Sequence, residues 1–546
     1  MWPTASPATG GHTLTLTGAG STFGAPFFNL AFARYYQEHP GISHVPGSRQ
    51  NSRDSRRVMW APSGPSPLLL LRSEVHDGRV TTGGVPGPAP VGPKRVRPAT
   101  SNRAALLAAG LAFFIIVLDI TVVSVALPSI GRELHGGLAG LEWIVDGYVV
   151  VFSALLLSSG TLSDRLGASR ALAAGFIGFT LASAACGLAP ALAFLLAARV
   201  VQGAAAAIML PASLALVRQN FTDAKKLARA IAIWTAAGGV AVAAGPVVGG
   251  LLTGTIGWRA IFFVNVPAGL LGVVALSRVR PSPRHPAHFD LPGQITAIVA
   301  VAALAVGVIQ GGRQGFDSPV VVVSLVASAA AAVAFVTVER RVAVPMVPLG
   351  IFTSKTVSST TVAGLIVSFA FYGQVFVLSL FFQQALGHSP TVTGLMFVPM
   401  TAVVAGVNLF AGRLVQRHGP RLPLAAGLLV FAGGLLGCLA FGRGTPIAVI
   451  EFLLLPIGIG AGLTIPPLTT AFMDDIRPGQ AGIGAGVLNS SRQLGSALGV
   501  AVFGALLDAN FMTGLHLSFL ISGTTVLAAA VLTLRYVRPG LPQMLR

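Results

Sequence analysis

A chain of 546 residues that is 53% hydrophobic and only 10% charged is not an ordinary soluble domain, which carries about 25% charged residues. Its apolar stretches are long and continuous, which excludes a strand barrel of alternating segments. The net charge of +19 does not argue for nucleic-acid binding, because most Lys and Arg sit in short breaks between those stretches, where they orient membrane spans.

Residues 1–100 are rich in Pro, Gly, Ser and Arg, and Leu68–Leu71 is only a short apolar island. The opening residues lack the basic start and apolar core of a secretory leader. Leu16–Pro26, followed by Tyr35, Tyr36 and Pro40-Gly41-Ile42, resembles the mature start of periplasmic phosphate-binding proteins, where a Gly-rich turn and a helix N-terminus help to hold phosphate. A two-lobed binding protein cannot fold from a piece ending near residue 45. Residues 1–100 are therefore expected to be a disordered N-terminal extension, from a fused or early-started reading frame.

From Ala104 onward, apolar runs and polar breaks alternate to the end. At roughly 20 residues per span the runs are 104–130, 139–162, 170–189, 191–217, 228–254, 259–277, 293–311, 319–337, 357–386, 391–412, 422–441, 447–472, 480–507 and 515–534, about fourteen in all. One side of the membrane receives Arg165 and Arg170; Arg218, Lys225, Lys226 and Arg229; Arg278, Arg280 and Arg284; Arg340, Arg341 and Lys355; and Arg413, Arg417 and Arg421. The other receives little beyond Arg132, Arg259, Arg313 and Arg443. The first group marks the cytoplasm, and an even number of spans places both termini there. Cys186 and Cys438 lie in apolar runs, which disfavours a disulfide framework or a Cys metal site.

Asp119 stands inside the first run. A carboxylate near the centre of a spanning helix costs roughly 2.5–3.5 kcal/mol on insertion scales, so it needs a partner, a wet cavity or a proton. Either a structural pairing role or titration during transport satisfies that need. Asp146, one helical turn after Glu142 and on the same face, is a second candidate for proton binding. Arg199, a few residues into the fourth run, cannot shed its charge and needs an acceptor, unless it snorkels to the membrane face. Gly245-Pro246 interrupts a helix of small residues that can pack tightly. Gly160–Gly167 and Gly412–Gly419 share a Gly, Leu, Arg, Gly spacing on the cytoplasmic side, and internal repeats of this kind suggest a transporter with its site between two halves.

These motifs together resemble the major facilitator superfamily. Gly160–Arg170, with Gly160, Asp164, Arg165, Gly167 and Arg170, looks like its signature gating loop. Leu118–Pro128 resembles the first-span motif of the fourteen-span drug:proton antiporter branch, and Leu195–Ala207 the fourth-span motif. Gly245-Pro246-Val247-Val248-Gly249-Gly250 is similar to the antiporter motif; Trp258–Gly269 and Gly484–Gly499 are further marks of the branch. The chain departs from the usual pattern at Ser124, Ala168-Ser169, Ala205 and Ala241.

The resemblance implies an all-α polytopic membrane protein of about fourteen helices. Two six-helix bundles (101–280 and 350–536) would be joined by two linking spans (291–338), with a cytoplasmic tail at 537–546. It implies export of small amphipathic organic compounds, cationic or neutral, in exchange for protons. Asp119, Arg199 and Asp146 would carry proton coupling. Tyr148, Gln202, Asn265, Tyr372, Gln383, Asn489, Arg492 and Gln493 are candidates for the substrate cavity. Expected partners are the exported compound, protons and lipid, with no nucleic acid, no obligate protein partner and no cofactor beyond the proton gradient. A proton symporter or uniporter of another metabolite is the alternative on the same fold. Clustered His and acid pairs, a phosphate-cradling loop and metal-ligand spacing are absent from the sequence, which argues against a membrane enzyme.

Overall fold

The computed structural model describes residues 99–284, 290–342, 345–477 and 480–539. The stretch that resembles a phosphate-binding protein, with the rest of the N-terminal extension up to residue 98, lies outside the described residues, as does most of the tail.

Lipid offers no partner for backbone N–H and C=O groups, so apolar runs of this length become helices that satisfy their own. They form α1 (Ala99–Glu133), α2 (Leu138–Leu166), α3 (Ala168–Gly187), α4 (Leu192–Asn220) and α5 (Ala224–Thr255). After these come α6 (Ala260–Ser277), α7 (Leu291–Gln314), α8 (Pro319–Arg341), α9 (Lys355–Ala385), α10 (Pro390–His418), α11 (Arg421–Ala440), α12 (Ile447–Asp474), α13 (Ala481–Ala509) and α14 (Phe511–Tyr536). Thirteen helices among the described residues are long and apolar enough to cross a membrane. The remaining one, α13, has its apolar run cut by Asn489-Ser490-Ser491-Arg492-Gln493.

Several helices begin earlier than their apolar runs because a polar cap extends them. Asp223 accepts from the Lys226 N–H at 2.9 Å to start α5, and Asn510 accepts from Thr513 at 3.0 Å to start α14; each satisfies an otherwise orphaned donor. α6 breaks at Val264, ahead of Pro267, and α10 at Phe397, ahead of Pro399, where proline cannot donate to the helical ladder. α9 closes in a π-helical turn, Phe381–Ala385.

In the first half, α1 packs on α4, α5 and α6, α2 on α4, and α3 on α4 and α6. In the second half, α9 packs on α13 and α14, α11 on α12 and α14, and α10 on α12. The linking helices form a hairpin. α7 lies against both α2 and α13, with Gln294 Nε2 donating to the Ala154 carbonyl at 2.8 Å, and α8 rests on α7.

The halves meet through α2 with α13, α5 with α10, and α1 with α9. The Gly-Pro motif serves two of these contacts at once. A Cβ on Gly245 would run into Thr121 of α1, and one on Gly249 would lie 2.6 Å from the Val122 carbonyl oxygen. On the other flank, a Cβ on Gly250 would lie 2.9 Å from the Gly394 Cα of α10. The motif glycines thus let one helix touch both halves at backbone distance. Beside them, Ser379 donates to the Ser124 carbonyl at 2.8 Å and Gln383 to the Val125 carbonyl at 2.8 Å, joining α9 to α1.

Gly245→Val and Gly250→Val should each destabilise the protein by about 1–3 kcal/mol through overpacking. Gly160→Ala, at a helical position with open space around it, should be neutral or slightly stabilising. Thermal unfolding in detergent checks all three, and unchanged melting of the valine variants would contradict the packing described.

Candidate functional site

Asp119 lies fully buried on α1, and four helices supply its surroundings. Arg199 of α4 forms an ion pair with its Oδ2. Oδ1 accepts two amide hydrogen bonds, from Gln202 Nε2 of α4 at 2.9 Å and from Asn265 Nδ2 of α6 at 2.9 Å. Ser183 of α3 completes the cluster: its hydroxyl accepts from Gln202 at 3.2 Å and from Asn265 at 3.1 Å, and donates to the Phe262 carbonyl at 2.9 Å. Cys186 donates weakly to Gln202 Oε1 at 3.6 Å.

Arg199 is held as completely as its partner. It is 1% exposed, its Nε donates to the Ile144 carbonyl of α2 at 3.0 Å, and its Nη1 also donates to Gln202 Oε1 at 2.8 Å. The guanidinium carbon sits 4.4 Å from the centre of the Tyr148 ring, a cation–π contact that substitutes for water. Such a pair survives burial because each charge meets a counter-charge and its remaining sites are hydrogen-bonded. The i, i+3 spacing of Arg199 and Gln202 puts both on one face of α4. Gly203 beside them brings α4 onto the backbone of α2 at Tyr148.

The Trp258–Gly269 segment ties this cluster to exposed groups at the end of α1. Trp258 Nε1 donates to Glu133 Oε2 at 2.7 Å, Arg259 pairs with the same carboxylate, and Phe262 and Asn265 reach the Asp119 cluster.

Only some of the remaining expected residues join this cluster. Asp146 is fully buried on α2, and both its carboxylate oxygens lack a hydrogen-bond partner among the described residues. Gln202, Asn265 and Tyr148 are fully buried around Asp119 and Arg199 instead of facing an open cavity. Gln383 joins α9 to α1, and Asn489 donates to the Ala485 carbonyl of its own helix at 3.0 Å. Tyr372, Arg492 and Gln493 are half-buried in the second half. At the turn between α2 and α3, Asp164, Arg165 and Arg170 are exposed. Gly167 has a φ of +85°, and a Cβ there would lie 2.7 Å from the Ser282 carbonyl oxygen, so this turn requires glycine. Ser169 and Ser282 exchange hydrogen bonds beside it, at 3.1 and 2.8 Å.

A family model described as Major Facilitator Superfamily matches residues 109–500. The chain belongs to this superfamily. Among major facilitator chains it is 41% identical over 406 residues to the multidrug resistance protein Stp of Mycobacterium tuberculosis, covering 74% of this chain and 75% of that one. It is 34% identical over 462 residues to the methylenomycin A resistance protein of Streptomyces coelicolor, covering 84% of this chain and 97% of that one. A solved bacterial homologue of the human lysosomal transporter Spinster, in an inward-facing and occupied conformation, matches with a TM-score of 0.57 at 17% identity. It covers 81% of this chain and 98% of that chain. A D-xylose–proton symporter matches with a TM-score of 0.57 at 14% identity, covering 80% and 98%. At these identities the likeness to both structures is one of major facilitator fold.

Because each partner of the pair is buried, Asp119→Asn or Arg199→Gln alone should cost about 3–5 kcal/mol, the penalty of an unpaired buried charge. The double variant should lose less than the sum. Thermal unfolding of the four proteins checks this, and strict additivity would contradict the pairing.

Proposed function

We propose that this protein exports small amphipathic organic compounds across the cell membrane in exchange for protons, with Asp119 as the group that takes up the transported proton. The observation that carries the reading is the enclosed Asp119–Arg199 pair, buried in a chain of the major facilitator fold. Its relatives support the direction of transport: besides the two above, a drug efflux pump of Mycobacterium tuberculosis at 36% identity and a tetracenomycin C resistance and export protein of Streptomyces glaucescens at 33%. The symporter alternative has only the fold-level likeness behind it.

Protonation of Asp119 removes the charge that Arg199 neutralises and leaves the guanidinium to find another acceptor. α1 carries both that carboxylate and the contacts with α5 and α9 near Thr121–Val125, so a change in the pair acts directly on the seam between the halves. Coupling follows only if the two openings of the transporter bind the proton unequally. Inward proton flow supplies about 2.3 kcal/mol per charge per 100 mV, before any pH gradient. Asp146, buried without a hydrogen bond among the described residues, is the second proton-binding candidate. On this reading both termini face the cytoplasm, which the positive-inside bias of the Arg-rich loops supports. The partners on this reading are the exported compound, protons and lipid.

In a drug-sensitive bacterial host, the wild-type protein should raise the minimal inhibitory concentration of at least one of methylenomycin A, tetracenomycin C and puromycin, compounds named for its relatives. Asp119→Asn, expressed to the same level in the membrane, should return it to that of the empty host. Undiminished protection by the variant would remove Asp119 from the mechanism.

A further inference from the structure

Arg492 is another arginine set within the helical core, and it is held quite differently from Arg199. It lies near the middle of α13, the helix whose apolar run it interrupts, and α13 packs on α2, α7, α9 and α14. Its stem lies over Gly364 of α9, where a Cβ would sit 3.3 Å from Arg492 Cγ. Leu468 of α12 lines the same spot. No hydrogen bond or ion pair reaches Arg492 among the described residues, and its buried Nε lacks a partner. A guanidinium does not lose its proton, so the positive charge persists unanswered at this depth. Charged groups inside membrane helices face a partner or a water-filled path, and Arg492, half-buried, has no partner among the described residues.

Nearby polar groups point the same way. Tyr372 is half-buried on α9, the helix over which the Arg492 stem lies. Gln493 is half-buried and makes no hydrogen bond among the described residues. The guanidinium offers several donors in one plane, and its fork matches a planar carboxylate bidentately. On the opposite side of the charge balance, Asp119 is neutralised by Arg199 and closed off, while Asp146 and Glu142 are 0% and 2% exposed. The accessible charge in the core is therefore positive.

We infer that Arg492 recognises a carboxylate on the exported compound, so that the preferred cargo is an amphipathic acid. This deepens the export reading and rests on it, and it replaces the cationic or neutral cargo expected from sequence. An inside-negative membrane potential also drives such an anion outward, in the direction of export.

The test is energised uptake into inverted membrane vesicles of fusidic acid and nalidixic acid, each compared with its own methyl ester, and of ethidium as a cation. Wild type should take up each acid about tenfold or more in excess of its ester, the scale of one charge-assisted hydrogen bond. Arg492→Gln should bring that ratio near one, and Arg492→Lys should restore part of it, since lysine keeps the charge but not the fork. Ligand-induced thermal stabilisation of the purified variants by acid and by ester reads the same preference without transport, so a folded but inactive variant still answers. Equal uptake of acid and ester, uptake of ethidium without the acids, or an unchanged ratio in Arg492→Gln would overturn the proposal and leave export standing. No energised uptake of any of these compounds, together with no protection of cells, would fail the export reading itself.

Discussion

A carboxylate and a guanidinium with almost no access to solvent constrain everything around them. In a medium that cannot solvate charge, Asp119 and Arg199 persist only because each neutralises the other and neighbouring donors and carbonyls fill the remaining positions. Those positions come from five helices. α1 contributes Asp119, α2 the Ile144 carbonyl and the Tyr148 ring, α3 Ser183, α4 Arg199 and Gln202, and α6 Asn265 and the Phe262 carbonyl. The pair is thus a joint of the first half as well as a candidate proton site. Each half-satisfied alternative would be worse than an apolar core.

The same helix links chemistry to movement. Within two turns of α1, Asp119 meets its cation, Thr121 and Val122 meet the motif glycines of α5, and Ser124 and Val125 accept from α9. α5 in turn touches α10 at Gly250 and Gly394. Packed interfaces of this kind hold discrete arrangements and do not deform continuously. A change in charge at one point of α1 therefore has a short mechanical route to the contact between the halves.

The spans were legible because each apolar run has the length a bilayer demands, and the predicted order of helices matches the one observed. The ends were less legible: Asp223 and Asn510 cap α5 and α14 outside the apolar runs, so helix continues where hydropathy has already fallen. α13 is read as a span despite the polar group at 489–493, because its flanks are apolar. Asp119 and Arg199 stood out as charges in apolar runs, yet their contact spans 80 residues of sequence and no local pattern encodes it. Gln202 and Asn265 were visible as polar residues in spans, but their role as donors to Asp119 needed three-dimensional placement. Ser183 was missed because a serine among alanines satisfies itself on its own helix at little cost; the Asp119 contacts of its neighbours give it meaning only in space. Gln374 was missed likewise: it bonds Ser518 at 3.2 Å and Ser522 at 3.0 Å, holding α9 to α14.

The central claim is that movement of cargo and movement of protons are one event at Asp119. The most direct test is purified protein in liposomes with no initial pH or voltage difference, a gradient of a compound the protein protects against, and a pH-sensitive dye inside. The account predicts that the compound gradient alone drives protons in the opposite direction, building a pH difference in wild type that Asp119→Asn does not build. Compound flow in wild type with no pH change, or the same pH change in the variant, would contradict it.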